Sequence, residues 1–88
     1  MSEASRIEAE ILAQTSARGS DRSICPSEVA RALSGAGPDD DWRKHLHAVR
    51  QEAVRLAQAG RIEILRKGKP VEPGEVRGVI RLRVRDAS

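Results

Sequence analysis

Three stretches with helical periodicity, followed by two that alternate apolar and polar residues, predict an α+β fold of winged-helix type, with three helices, a short strand and a C-terminal β-hairpin wing. Ala4, Ile7, Ile11 and Leu12 recur at three- and four-residue spacing, and so do Trp42, Leu46, Val49, Ala53, Leu56 and Ala57. Arg61 to Arg66 and Val79 to Arg85 instead alternate with a period of two, as strands with one buried face do. The resulting order is helix, short strand, helix, helix, strand, strand.

The first helix runs from about Ser2 to Arg18. Ser5 and Glu8 have the spacing of a capping box, although the helix could equally begin at Ser2, and Gly19 ends it. Ser23-Ile24-Cys25 reads as one extended rung. Pro26 suits the first turn of a second helix, where its missing N–H costs nothing, and Glu28 suits the positive end of that helix dipole. Ser27 reads as a cap residue. Ser34-Gly35-Ala36-Gly37-Pro38 must be a loop. Asp39, Asp40 and Asp41 would then cap a third helix from Trp42 to Ala59, stopped by Gly60. The turn-rich segment from Lys67 to Gly78 joins the last two strands into an antiparallel hairpin with a long tip. The expected core is Ile7, Ile11, Leu12, Ile24, Val29, Leu33, Trp42, Leu46, Val49, Leu56, Ile62, Ile64, Ile80 and Leu82.

With 88 residues the chain has room for one domain, with an ordered core over about residues 3–85. Trp42 is its only aromatic residue, so folds that stack bases on aromatic rings are disfavoured. The single cysteine cannot form an intrachain disulfide, and no apolar run approaches the roughly 20 residues of a membrane helix. The N-terminus lacks a signal-like core, so a cytoplasmic protein without a membrane partner is expected.

The net charge of +3 hides an asymmetry. Residues 1–42 carry four arginines against eight carboxylates, net −4, whereas residues 43–88 carry twelve Lys or Arg against five carboxylates, net +7. Such a distribution implies a basic face able to meet phosphate.

The strings Ile24-Cys25-Pro26-Ser27-Glu28-Val29-Ala30-Arg31-Ala32-Leu33, Trp42-Arg43, Ala59-Gly60-Arg61-Ile62-Glu63-Ile64, Lys67-Gly68-Lys69-Pro70-Val71 and Arg77-Gly78-Val79-Ile80-Arg81-Leu82-Arg83 resemble a small bacterial family of uncharacterised proteins with a winged-helix-like fold. The resemblance covers most of the chain. It implies that fold and a bacterial cytoplasmic setting, but no activity, cofactor or functional residues. The segment from Ser34 to Asp41 departs from a tight helix-turn-helix, whose turn has about three or four residues.

The sharpest functional expectation is binding of double-stranded nucleic acid. On a helical wheel Arg43, His47, Arg50 and Gln51 lie outward of the core stripe, with Lys44 and Arg55 just beyond. Arginine and glutamine are the side chains that read guanine and adenine in a major groove, while Lys67, Lys69 and Arg77 would flank the wing tip and reach phosphates. The aspartates at 39–41 oppose this, because a recognition helix presents its N-terminal end to the bases. A dimer would enlarge the limited interface of one module. The competing expectation is a protein-interaction adaptor with an exposed apolar patch around Val54, Val71 and Val76. Arg81 and Arg83 are expected to pair with Glu63 across the hairpin. Cys25 reads as a small buried residue rather than a redox thiol. His45 and His47 diverge by about 200 degrees and cannot share a metal. No nucleophile, acid–base or cofactor-binding constellation is present, so a non-enzymatic role without cofactors is expected.

Overall fold

The computed structural model describes residues 3–34, 42–76 and 78–85, so the expectations on Ser2, the loop at 35–38, Asp39 to Asp41 and Arg77 lie outside the described residues. Helix α1 spans Glu3–Arg18, α2 Pro26–Ser34 and α3 Arg43–Gln58; strands β1 (Ile62–Arg66), β2 (Lys69–Pro70) and β3 (Arg81–Val84) follow. Three helices thus precede a three-stranded antiparallel sheet of order β2-β1-β3, an α+β arrangement of winged-helix-like topology.

Helices α1 and α3 each end on a glycine for a local chemical reason. In α1, Ile7, Ile11 and Thr15 fall one turn apart on the buried side, and the Thr15 hydroxyl satisfies itself by donating to the Ile11 carbonyl at 2.8 Å. Ser5 lies inside this helix, so the expected cap position is displaced toward the N-terminus. Gly19 closes α1 with a positive φ of 85°, its N–H donating to the Thr15 carbonyl. At the start of α2 the cap is Glu28 rather than Ser27: its Oε2 accepts the Cys25 N–H at 2.7 Å, the carboxylate half of a capping box. The Ser27 hydroxyl instead donates to the Cys25 sulfur at 3.1 Å. Trp42 itself occupies the N-cap position of α3 and makes no side-chain cap bond. At the other end Arg61 N–H donates to Leu56 O and Gly60 N–H to Ala57 O, with Gly60 at φ 78°, which is a complete Schellman motif.

β1 is the central strand. Ile64 faces Leu82 and Glu63 faces Arg83 on β3, while Leu65 faces Pro70 on β2. The expected long tip is in fact folded up. Lys67 and Gly68, at φ 54° and 82°, make a two-residue turn of the type that matches strand twist, so the chain reverses at once into β2. It then passes through a single 3₁₀ turn at Pro73–Glu75 that lies against α3. Beyond β3, Ile24 forms an isolated antiparallel bridge with Leu82 through two 2.8 Å backbone hydrogen bonds.

The core lies between the helices and one face of the sheet. Ile7, Ile11, Ile24, Val29, Val49, Leu56, Ile62, Ile64, Ile80 and Leu82 are buried as expected, together with Ala30, Ala53 and Leu65. Leu12, Leu33, Trp42 and Leu46 pack against this core while remaining partly exposed. Cys25 is also only half-buried.

Because Gly60 holds a left-handed backbone conformation, Gly60→Ala should cost roughly 1 to 2 kcal/mol, lowering the thermal midpoint by about 4 to 8 °C per kcal/mol. Gly74 has open space around it and no such conformation, so Gly74→Ala measured by the same thermal unfolding should leave the midpoint nearly unchanged.

Candidate nucleic-acid interface

α3 is amphipathic in both senses: Val49, Ala53 and Leu56 are buried, whereas Arg43, Lys44, His47, Gln51 and Arg55 are exposed. The sequence therefore places five of its six candidate α3 side chains on the open face. Arg50 is the sixth and is half-buried, because its guanidinium donates to the Gly78 carbonyl at 2.9 Å and so fastens α3 to the segment entering β3. Lys67 and Lys69 sit at the β1–β2 turn and are exposed. Arg77 lies outside the described residues.

Arg55 is exposed yet occupied. It forms an ion pair with Glu52 one turn earlier on α3 and with Glu8 of α1, whose Oε2 is 3.1 Å away. The hydrogen bond that Arg55 donates to the Glu52 carboxylate raises the Arg55 pKa above its ordinary value, with the charges of Glu52 and Glu8 acting in the same direction against partial desolvation. Glu52 is only 7% exposed, so Arg55 serves a buried carboxylate at the α1–α3 seam. The wheel position of Arg55 could not reveal this, because Glu8 approaches from another helix.

Two arginines that the sequence reading did not single out complete the basic surface. The Arg66 guanidinium, at the end of β1, lies 3.9 Å from where a Cβ on Gly78 would stand, so Arg50 and Arg66 converge on one glycine from opposite elements. Arg31 of α2 and Arg43 of α3 each place a guanidinium carbon 4.8 Å from the centre of the Trp42 ring. Trp42 is accordingly a half-buried platform for cations as well as a core contact. No pattern in sequence could pair Arg31 with Trp42.

The other expectations divide. Arg83 pairs with Glu63 through Nη2 and Nε at 2.8 and 3.2 Å, but Arg81 turns away from Glu63 and donates to the Ser23 hydroxyl and carbonyl at 2.7 and 2.9 Å. Ser23 lies beside β3 because Ile24 is bridged to it. The apolar patch expected around Val54, Val71 and Val76 is not exposed, since the connection between β2 and β3 folds onto α3 and half-buries all three. A shallow hollow of about 190 Å³ remains there, between His47 and Gln51 on one side and Pro73 and Val76 on the other. That is below the roughly 300 to 1,000 Å³ of small-molecule sites. His45 is half-buried with its Nδ1 3.6 Å from Glu3 Oε1, and His47 is exposed. Among the described residues no three His, Cys, Asp or Glu side chains gather as a metal site, and no helix is long and apolar enough to cross a membrane.

These features define a small α+β domain of winged-helix-like topology, with a basic surface on its third helix and the neighbouring hairpin. The chain belongs to the family described as "Protein of unknown function (DUF3253)", whose model matches residues 4–85. A comparison with curated proteins finds no match.

If Arg55 chiefly serves the buried Glu52 carboxylate, Arg55→Ala should lower the unfolding midpoint. The double variant Arg55→Ala/Glu52→Ala should then lose less stability than the two single changes summed, as read by a double-mutant cycle in urea.

Proposed function

We propose that this chain is a non-catalytic module that binds double-stranded nucleic acid, DNA foremost, through α3 and the β1–β2 turn, in a transcription-related role. The observation that carries the reading is the convergence of Arg50 from α3 and Arg66 from β1 on Gly78. It joins the basic helix and the basic hairpin into one surface, where separate cations would be only solvated side chains. Neither arginine, nor Lys67 or Lys69, is ion-paired among the described residues, so their charge is available to phosphate. His47 and Gln51, exposed on α3 beside them, supply hydrogen-bonding groups for base edges.

A phosphate-dominated interface has a definite salt signature. Each phosphate neutralised contributes about −0.9 to the slope of log K against log salt. Fluorescence anisotropy on a mixed-sequence duplex should therefore show binding that weakens steeply with salt. Lys67→Ala/Lys69→Ala should reduce the slope by about 2 without altering the thermal midpoint. Absence of binding at low salt would overturn the proposal.

A further inference from the structure

The hollow between α3 and the segment that links β2 to β3 has a lining of two kinds. Val54, Pro73 and Val76, all half-buried, supply apolar surface to its volume of about 190 Å³. His47 and Gln51, exposed and one turn apart on α3, supply a polar rim. Arg50, whose guanidinium reaches the Gly78 carbonyl, borders it as well, so the hollow lies within the basic surface proposed to meet nucleic acid.

The two parts of the lining differ in what they can recognise. Among the described residues neither His47 nor Gln51 has a hydrogen-bond or ion-pair partner, so both side chains are free to meet a ligand. Contacts to phosphate fix a protein on a duplex but carry no sequence information, which is read from base edges. In the major groove an A·T pair presents the N7 acceptor and N6 donor of adenine, then the O4 acceptor and C5-methyl group of thymine. A glutamine amide, with one acceptor and two donors, matches the adenine edge, and an apolar surface matches the methyl. Gln51 and Val54 stand side by side on α3, three residues apart and so about 5 to 6 Å between Cβ atoms. A hollow too small for most small molecules is of a size to take one methyl group and the edge of its base.

We propose that this hollow reads thymine in duplex DNA: Gln51 makes paired hydrogen bonds to N7 and N6 of an adenine, and the C5-methyl group of that adenine's thymine partner enters between Val54 and Val76. The inference rests on the nucleic-acid reading and adds a base preference to it. Lys67 and Lys69 contribute affinity for any sequence, whereas Gln51, Val54 and Val76 decide which sequence is held most tightly.

The test changes the DNA before the protein, so that misfolding cannot imitate the result. The full chain is used to select from a library of random duplexes, and the enriched duplex is then titrated by anisotropy at one fixed salt concentration. It is made in three forms: with thymine, with uracil at the enriched thymine positions, and with 5-methylcytosine paired to guanine there. The expected result is enrichment of A·T pairs and tighter binding of the thymine form than of the uracil form by about fourfold, the worth of one buried methyl-sized group. The 5-methylcytosine form should bind more weakly than the thymine form, because guanine lacks the N6 donor that Gln51 requires. Gln51→Ala should weaken binding of the enriched duplex by about tenfold and leave the salt slope unchanged. Val76→Thr places a hydroxyl where the methyl would sit, and should bring the thymine-to-uracil affinity ratio to about one. Salt-sensitive binding with no A·T enrichment, or with equal affinity for the thymine and uracil forms, would overturn this inference and leave the nucleic-acid reading standing. Tightest binding of the 5-methylcytosine form would overturn it in the same way. Absence of any binding at low salt would overturn both.

Discussion

Two backbone hydrogen bonds between Ile24 and Leu82 join the helical half of the chain to its last strand. Residues 58 positions apart are brought into one bridge, and the loop-closure entropy of doing so must be met by the core that forms around it. Ile24 and Leu82 are both fully buried, so the bridge lies inside that core. Arg81 reinforces it from the solvent side by holding Ser23 through two hydrogen bonds. The start of α2 is thereby fixed beside Ile80, which brings Pro26 to one wall of a shallow apolar hollow and Trp42 and Leu46 to the other. Without the bridge, the helices and the hairpin would share a core but not a surface.

The division of charge along the sequence is partly consumed by folding. Glu8 and Glu3 of the acidic half meet Arg55 and His45 of the basic half across the α1–α3 seam, and Glu28 takes Arg18 within the acidic half. Glu63 and Arg83 cancel on the sheet. Among the described residues, the carboxylates of Glu3 and Glu8 on α1 are thus spent at the α1–α3 seam. Arg50, Arg66, Lys67 and Lys69 have no carboxylate partner among the described residues, which makes the asymmetry a property of the surface and not of the sequence alone.

Periodicity made the helices legible, because Ile7 with Ile11, and Val49 with Ala53 and Leu56, repeat a stripe that only a helix can bury on one side. Gly19, Pro26 and Gly60 marked ends whose backbone geometry demands those residues. What escaped was tertiary. β2 has only two residues and so carries no period, and a lysine at positive φ gives no warning that Lys67-Gly68 is a tight turn. The fold-back of Val71 and Val76 onto the core could not be seen either, since short apolar residues in a turn-rich stretch look alike whether buried or free. In the candidate site the helix wheel found the open face of α3. It could not find Arg31, Arg66, the Gly78 carbonyl that Arg50 holds or the Glu8 carboxylate that reaches Arg55, all of which depend on other elements arriving.

The two borders of the sheet have a consequence for association. One border is β2, two residues long and made of a lysine and a proline; the other is the lone bridge at Ile24, followed within two residues by Pro26. Proline offers no N–H to an incoming strand, and a charged, very short margin gives it nothing to template on. Edge-to-edge growth into ribbons or amyloid-like stacks is therefore disfavoured at both of these margins. Self-association through side-chain surfaces, where specificity can be encoded, is favoured over strand addition there.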